Sequence, residues 1–402
     1  MSTEFDIVII GGGAAGLSCA LSMDRLGFRV AVMEQAPETA MENPRFDGRE
    51  LALTHHTIAW LKDYDVWPHF APSQVTPLQR ADILSGHDAA RAAQRPLSFQ
   101  SMDAPPKGRA PLGYLVAHHV IRKALYEEVR KRENITVMGG KDVLRSGAHD
   151  EEAYMDLNDG RRFHARLIVA ADGRFSRARA QRGIGAVTHD FRRHILVCRL
   201  SHTRPHHDIA TQWFDEGQTL AFLPVGEKSA DGRDCSSLVL TLKPDDISRL
   251  AHMAAPDFVD DLAQRLQGQL GEIDLISARC TYPLKAVYAH RFRAARFALI
   301  GDAAVGMHPI TAHGFNFGLK GQETLARKIA EGAGDPGDPR LLRQFEMAHR
   351  RDTMPLFAAT NAIATLYTHD APLSLKLREA TLQFAQNSNP LKRFVARILS
   401  DH

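Results

Sequence analysis

The chain has 402 residues, of which 44% are hydrophobic and 24% charged, and its net charge at pH 7 is +3. These values exclude a disordered chain, and the interspersed acidic and basic residues give no basis for nucleic-acid binding. The four cysteines include no CxxC pair and no run of about 18 uninterrupted apolar residues occurs, so we expect a cytoplasmic protein without disulfides or a membrane span.

The N-terminal residues predict a strand, a glycine-rich turn and a helix. The apolar run DIVII (6–10) is typical of a buried strand, and GGGAAG (11–16) has GxGxxG spacing before a helix that ends at Gly27. A second strand ends near Glu34, where a carboxylate binds an adenosine ribose and repels a 2′-phosphate. The pattern predicts an FAD or NAD site, with the pyrophosphate at the helix N-terminus beside Gly11, Gly13, Ala14, Ala15 and Gly16.

The segment after the second strand favours FAD over NAD. A dehydrogenase would continue with further short strand–helix units, whereas this chain continues with Arg49 and an apolar-periodic helix at 53–66. We interpret this segment as an insertion packed against a larger cofactor.

The middle of the chain predicts more strands and a second ligand-binding turn. Residues 76–86 predict one strand, 87–111 a loop, and a hairpin turns at 158–160. A buried strand at 167–171 then leads into DGRFSRAR (172–179), which puts Asp172 and Gly173 at the carboxyl end of a strand. Alone, this turn fits a ligand site and an ordinary Asp-Gly turn equally well.

Residues 190–290 predict an inserted antiparallel sheet of four strands, followed by an amphipathic helix at 256–276. Apolar residues on this sheet are candidates for contact with an apolar substrate, although about half of them would be ordinary sheet core. The candidates are Trp213, Phe214, Phe222, Leu223 and Pro224, of which Phe222 and Pro224 are preferred.

The last quarter returns to the nucleotide-binding pattern with GDAAVGMHPITAHGFNFGLKG (301–321). The C-terminal NPLKRFVARILSDH (389–402) has a basic amphipathic pattern, which fits a helix docked on its own domain or one contacting a membrane. Twenty histidines occur without a helical metal-binding spacing or a Cys/His cluster, so we expect no metal site.

Three motifs together resemble the group A flavoprotein monooxygenases, which include p-hydroxybenzoate hydroxylase. They are GxGxxG at 11–16, DGxxSxxR at 172–179 and GD followed by PxxxxG at 301–314, and they span most of the chain. Within that family, two segments are most similar to the ubiquinone-biosynthesis hydroxylases of the UbiH, UbiF and UbiM group. They are DGRELALTHHTIAWLKDYDVW (47–67) and HPITAHGFNFGLKG (308–321). Ala312 and His313 replace that group's usual Gly-Gln and resemble the UbiM type.

The resemblance implies an α/β fold, in which a Rossmann-like FAD-binding domain of the GR2 type is interrupted by an antiparallel substrate-binding sheet and followed by C-terminal helices. The FAD-binding domain would comprise 1–75, 110–185 and 285–350, the substrate domain 76–109 and 186–284, and the helical segment 351–402.

The resemblance also implies roles for individual residues. Glu34 would bind the adenosine ribose, Arg49 the pyrophosphate and Asp302 the ribityl chain. Arg174, Arg177 and Arg179 would receive NADH or NADPH, which the sequence does not distinguish. The remaining cofactor-binding residues would be Asp172, Gly173, Gly301, Pro309, Gly314, Phe315 and Asn316.

The implied reaction is NAD(P)H- and O2-dependent hydroxylation, through a flavin C4a-hydroperoxide, of the ring of a polyprenylated quinol, as in 5-demethoxyubiquinol hydroxylation. His313 is a candidate catalytic residue or a loop hydrogen-bonding residue, and His308 is expected to be structural. Two alternatives stay open: a hydroxylase of a soluble phenolic or heteroaromatic compound, and an FAD-binding assembly factor or sensor. A polyprenylated substrate also predicts contact with a membrane or a ubiquinone-biosynthesis complex, while the oligomeric state is not predicted.

Overall fold

A computed structural model describes residues 5–86, 96–100, 111–215, 217–308, 314–332 and 334–368. Most of the predicted loop at 87–111, Pro309, His313 and the amphipathic tail at 389–402 lie outside these residues. Numbered in chain order, the strands are β1 (Ile7–Ile10), β2 (Val30–Met33), β3 (Glu50–Leu53), β4 (Thr76–Leu78), β5 (Arg80–Ser85), β6 (Leu97–Gln100), β7 (Gly113–Ala117), β8 (Ile135–Met138), β9 (Val143–Ala148), β10 (Ala153–Leu157), β11 (Arg162–Ala165), β12 (Leu167–Ala170), β13 (Ala186–His202), β14 (Ile209–Asp215), β15 (Gln218–Val225), β16 (Asp234–Leu242), β17 (Ile273–Leu275), β18 (Cys280–Ala289), β19 (Arg293–Ala294), β20 (Phe297–Leu299) and β21 (Val305–Gly306).

The helices connect and cover these strands. They are α1 (Ala14–Arg25), α2 (Glu38–Glu42), α3 (His55–Asp63), α4 (His118–Val129), α5 (Arg177–Gln181), α6 (Pro244–His252), α7 (Ala255–Leu266), α8 (Gly314–Ala330) and α9 (Pro339–Thr368), with 3-10 turns at Trp67–His69, Pro72–Gln74 and Gly301–Ala303. Within the described part of the chain, no helix is both long enough and apolar enough to cross a membrane.

A mostly parallel sheet forms the centre of the nucleotide-binding part. Its strand order is β19-β20-β12-β1-β2-β8, and β1 pairs in parallel with both β12 and β2. All residues of β1, β2 and β12 are buried, as expected for strands covered on both faces. The strands predicted at 6–10 and 167–171 are therefore confirmed, and their carboxyl ends lie along one edge of the sheet, where α/β folds bind ligands.

A larger, mostly antiparallel sheet forms the second layer, in the order β21-β18-β13-β16-β15-β14-β5-β6. The four predicted strands of the inserted sheet are confirmed as β13 to β16, which pair antiparallel. The hairpin predicted at 158–160 is also confirmed, since β10 and β11 pair antiparallel across it.

Two predicted elements are wrong. The helix at 256–276 ends at Leu266, where Gln267 takes a left-handed conformation with φ +47°, and β17 follows. The single strand at 76–86 is two strands in different sheets: β4 pairs with β7, and β5 joins the large sheet beside β14. Periodicity alone shows neither a left-handed stop nor a change of sheet within one apolar run.

Helices α6 and α7 cover one face of the large sheet. The hydrophobic cluster between them combines strand residues with helix residues, and Trp213 and Phe258 are fully buried in it. A separate, larger cluster packs around the parallel sheet. The other face of the large sheet, which α6 and α7 leave uncovered, borders the candidate site.

Candidate functional site

The three sequence motifs meet at the carboxyl edge of the parallel sheet. A Cβ atom on Gly11, whose φ is +111°, would lie 2.6 Å from the carbonyl oxygen of Ala171, and one on Gly16 would lie 1.9 Å from the carbonyl oxygen of Gly11. A Cβ on Gly301 would lie 2.8 Å from the Cβ of Ala15. No larger residue fits at these positions, and the contacts of Gly11 with Ala171 and of Gly301 with Ala15 join the three motifs into one site.

Two neighbouring cavities of about 350 Å³ each occupy this site. We call them the adenosine-side cavity, which is lined by Glu34 and the end of β1, and the sheet-side cavity, which extends to the large sheet. Both are lined by Gly13, His118, Ala171 and Gly173. Their common lining makes one elongated cleft.

The cleft fits a dinucleotide. Among the described residues, a Cβ on Gly13, Gly173 or Gly314 would meet no atom within 4 Å beyond its chain neighbours, so these backbones border open space. Helix α1 begins at this cleft, and neither a side-chain cap nor an acidic residue in its first turn competes for its N–H groups. Its N-terminus can therefore receive a pyrophosphate.

Glu34 lies at the end of β2, as its predicted role requires. Its carboxylate accepts hydrogen bonds from the N–H groups of Gly12 (2.6 Å) and Ala36 (2.9 Å), and it lines the adenosine-side cavity. These two bonds fix the carboxylate beside the glycine turn, where FAD can extend along the cleft.

Asp172 and Gly173 have different functions in their turn. Asp172 accepts hydrogen bonds from the Ser176 hydroxyl (2.5 Å) and the Ala178 N–H (3.0 Å), so its carboxylate shapes the start of α5. Gly173, with φ +84°, borders both cavities. Gly173 is thus the member of the predicted pair whose backbone faces both parts of the cleft.

Asp302 lines the sheet-side cavity and is paired with Arg174 at 3.0 Å. Arg174 also donates to the carbonyl oxygens of Lys285 (2.5 Å) and Met307 (3.1 Å). The arginine therefore fixes the loop after β20 and holds the Asp302 carboxylate at the cavity wall.

The three arginines predicted to receive NAD(P)H do not form one exposed cluster. Arg179 is buried and donates to the carbonyl oxygen of Ala303 at 2.8 Å, and burial lowers its pKa. Arg177 alone of the three has a mostly exposed side chain, at 58%, and pairs with Asp142. The prediction is corrected for Arg179, which holds the Asp302 loop from within the fold.

Arg49 lines the sheet-side cavity as part of a charged cluster. Its Nε donates to Asp47 at 3.0 Å, and Nδ1 of His118 lies 2.7 Å from the same carboxylate. Burial raises the pKa of Asp47, but hydrogen bonds and charges from His118 and Arg49 together have the larger effect. The pKa of Asp47 therefore lies below its usual range. Burial lowers the pKa of His118. Sequence reasoning missed His118, although its place at the start of a predicted helix was visible.

The residues after the loop at 309–313 contribute mainly backbone and apolar surface. Phe315 is buried and lines the sheet-side cavity. The Asn316 side chain is already bonded: Oδ1 accepts from the Thr57 hydroxyl (2.7 Å) and Nδ2 donates to the Ala52 carbonyl (2.7 Å). Asn316 therefore fastens α8 to β3 and α3, and a contact of this residue with flavin would come from its backbone.

His308 is a buried residue of the sheet-side cavity. Its ring makes an edge contact with Phe191 at 4.7 Å, and burial lowers its pKa to about 3. It is neutral at physiological pH, in keeping with a structural role.

Of the predicted substrate contacts, Phe214 and Leu223 line the sheet-side cavity, whereas three lie on the opposite face of the large sheet. Trp213 and Phe222 pack in the cluster beneath α6 and α7, and Pro224 has the same strand parity as Phe222. Successive side chains of a strand alternate between faces, so the intervening residues form the cavity wall. Cross-strand register gives two rows: Val197, Val239, Ala221 and Gln212, then Ile195, Thr241, Thr219 and Phe214.

Comparison with known proteins agrees with this geometry. A family model described as FAD binding domain matches residues 4–356. The chain is 35% identical to the ubiquinone hydroxylase UbiM of Neisseria meningitidis, across 100% of this chain and 85% of that protein. It is 30% identical to the ubiquinone hydroxylase UbiL of Rhodospirillum rubrum, across 98% of this chain and 88% of the other.

The fold is also similar to that of a solved enzyme structure. The crystal structure of p-nitrophenol 4-monooxygenase from Pseudomonas putida superposes with a TM-score of 0.76 at 19% identity, covering 100% of this chain and 99% of that one. This similarity concerns the fold.

Proposed function

Since this chain belongs to the FAD binding domain family, we propose that it is an NAD(P)H- and FAD-dependent monooxygenase that hydroxylates the ring of a polyprenylated quinol in ubiquinone biosynthesis. The proposal depends on one observation above all. A single cleft runs from the N-terminus of α1, where a dinucleotide fits, to a largely apolar face of the large sheet, where a ring can meet the cofactor.

FAD bound in this cleft would supply the redox chemistry and the activation of dioxygen. The protein would bind and orient the cofactor and the substrate, and it would exclude water from the reacting atoms. The α1 N-terminus and Glu34 would hold the dinucleotide end, and Asp302 would meet the ribityl chain beside Gly301. The wall of β13 to β16 would then hold the substrate ring in a space that water leaves on binding.

The cavity lining favours a quinol over a carboxylated soluble phenol. Among its described residues, the two arginines are Arg49 and Arg174, and each pairs with an aspartate, Asp47 or Asp302. The sheet face contributes apolar side chains, threonines and Gln212. A substrate carboxylate would find no unpaired arginine among these described lining residues, whereas an apolar ring with a prenyl chain is compatible with the wall.

The position that is hydroxylated is proposed by resemblance to the UbiM type, as the ring carbon modified in 5-demethoxyubiquinol hydroxylation. Quinone profiling tests this in a hydroxylase-deficient bacterial strain carrying this gene. We expect the missing hydroxylated quinone to return. A strain that accumulates the same precursor with and without the gene would overturn the proposal.

A matched pair of variants tests the cofactor site. Asp302→Ala should weaken FAD retention about tenfold, the typical effect of losing one charge-assisted hydrogen bond. Asp231→Ala removes a carboxylate from the exposed turn between β15 and β16 and should retain FAD like the unmodified protein. Flavin absorbance after gel filtration measures both. A colourless protein that cannot be reconstituted with FAD would overturn the entire proposal.

We also propose that the C-terminal tail contacts a membrane or a quinone-synthesising complex. Support comes from the basic amphipathic pattern at 389–402 and from the insolubility of polyprenyl chains in water. Full-length protein should sediment with anionic vesicles, and a Lys392→Glu, Arg393→Glu double variant should lose this property. Equal sedimentation of both would contradict the membrane contact.

A further inference from the structure

A buried carboxylate lies at one end of the sheet-side cavity. Here the chain crosses the large sheet in close contact: a Cβ on Gly48 would lie 3.0 Å from the Cβ of Val197, and the Ser237 hydroxyl donates to the Gly48 carbonyl at 3.2 Å. Two residues later, at the start of β3, Glu50 lies in the cavity wall with 7% of its surface exposed.

Arg199 fixes this carboxylate from one side. Its Nε and Nη2 donate to Oε1 of Glu50 at 3.2 and 2.8 Å, and its Nη1 donates to Glu227 at 2.8 Å. Within the described part of the chain, no hydrogen bond reaches Oε2 of Glu50. One carboxylate oxygen is therefore anchored and the other is left for a donor from elsewhere.

The sheet register shows why Glu50 lies at the edge of the apolar wall. Arg199 pairs with Ser237, which pairs with Leu223, and this row lies next to the cavity row of Val197, Val239 and Ala221. The charged residue Arg199 therefore lies in the row of paired residues next to the apolar part of the cavity wall. A ligand ring against Val197 and Val239 would have its rim at the Glu50 carboxylate.

A ligand that covered Oε2 without donating to it would leave a desolvated acceptor unpaired, which is costly. A hydroxyl group on an otherwise apolar ring supplies one donor and leaves the rest of the ring to the wall. An aliphatic chain supplies no donor, and a carboxylated ring would add repulsion.

We propose that Oε2 of Glu50 accepts a hydrogen bond from a ring hydroxyl of the substrate and takes its proton as the ring is attacked. Arg199 is the positioning residue. The inference rests on the proposed function, because it assumes a hydroxylated ring in this cavity. In the step, the O–H bond of the ring hydroxyl breaks, a new O–H bond forms on Oε2, and the electron pair stays on the ring oxygen, which makes the ring more electron-rich.

The ionisation of Glu50 is compatible with this step. Burial raises its pKa to about 7, and Arg199 offsets this effect only in part. The charged and titratable groups around it are Arg199, Glu227, Asp47 and His119. A carboxylate with this pKa exchanges a proton near neutral pH, which suits a general base.

Binding tests the hydrogen bond without turnover. The probes are a short-chain quinol and its methyl ether at the ring hydroxyl, and the readout is quenching of flavin fluorescence under anaerobic conditions. Unmodified protein should bind the quinol about tenfold more tightly or better, and Glu50→Leu should lose this preference. Glu227→Gln, which removes the exposed carboxylate from the same arginine, is the matched control and should keep it. Equal preference in Glu50→Leu and unmodified protein would overturn the inference.

Turnover tests the proton transfer. Glu50→Gln keeps the size of the side chain and cannot accept the proton, so hydroxylated product per NAD(P)H should fall about tenfold or more and lose its rise around pH 7. Glu50→Asp should recover part of it, and FAD content confirms folding. An unchanged product ratio and pH profile in Glu50→Gln would overturn the proposed proton transfer.

Quinol hydroxylation and the role of Glu50 are tested by different outcomes. If unmodified protein binds FAD but hydroxylates no quinol, the proposed function fails. Loss of the binding preference in Glu50→Leu would still support the Glu50 site for another hydroxylated ring.

Discussion

The two faces of the large sheet differ in the size and polarity of their side chains and have different roles in the fold. The face beneath α6 and α7 carries large side chains, among them Trp213, Phe222 and Leu240, which are buried in one hydrophobic cluster. The other face carries smaller or polar residues at the matching rows, such as Ala221 and Thr241, and leaves a cavity. Side-chain volume and helix cover, more than apolarity, separate the core from the binding wall.

The largest expected effect is loss of stability on the covered face. Trp213 is fully buried and its indole N–H donates to the Gly86 carbonyl at 2.9 Å. Trp213→Ala should lower the free energy of unfolding by about 3–5 kcal/mol, because it leaves a cavity and an unpaired carbonyl. Urea denaturation measures this. Thr219→Ala, on the cavity face, is the comparison and should cost much less; equal losses would mean that both faces are core.

Ionisation on the cavity face gives the next effect. Glu50 has a pKa raised to about 7, so it contributes most stability when protonated, below its ordinary pKa, and loses that contribution as pH rises through about 7. Relative to unmodified protein, Glu50→Gln should therefore gain about 2 kcal/mol in unfolding free energy between about pH 5.5 and pH 8.5. Denaturant titrations at both pH values measure the difference. A constant gap across this range would contradict the raised pKa.

Substrate affinity distinguishes adjacent residues of one strand. Ala221→Leu adds bulk to the cavity wall and should raise KM for a short-chain quinol about tenfold while FAD content stays the same. Phe222→Leu changes the covered face, so it should reduce stability by about 1 kcal/mol and leave KM unchanged. The reverse result, in which KM changes in the Phe222 variant and not in the Ala221 variant, would show that the substrate contacts the face that carries Phe222.

The smallest effect belongs to a residue outside both faces. Arg177 pairs with Asp142 at 3.0 Å on the surface of the adenosine side, and such exposed pairs stabilise by about 0–1 kcal/mol. Arg177→Gln should keep the melting temperature while raising KM for NAD(P)H a few-fold at low salt. If KM for NAD(P)H is unchanged, the nicotinamide cofactor docks elsewhere.

Much of the fold follows from local sequence. The glycine turn at 11–16 and the strands β1 and β12 could be predicted because turn chemistry and buried apolar runs are local properties. The end of α7 at Leu266 could not, because a left-handed residue at Gln267 has no signal in helical periodicity.

The sequence predicts the glycines that shape the backbone of the candidate site, but it does not predict which face of the large sheet its side chains occupy. Gly11 and Gly301 follow from spacing, since only glycine permits their close approaches, and Gly173 follows from its Asp-Gly turn, where φ is +84°. The wrong choice of Trp213 and Phe222 came from strands that are apolar on both faces, for which sequence gives no direction. Glu50 was overlooked beside Arg49, because the burial and cross-sheet pairing that make it notable come from a residue 149 positions away.

The most direct test of the central claim is the fate of dioxygen. Purified, FAD-loaded protein is supplied with NAD(P)H, a short-chain demethoxyquinol and isotopically labelled O2, and the products are analysed by mass spectrometry. The account predicts a hydroxylated quinol that carries one labelled oxygen atom, formed in proportion to NAD(P)H consumed. NAD(P)H consumption that yields only hydrogen peroxide, with the quinol unchanged, would contradict it.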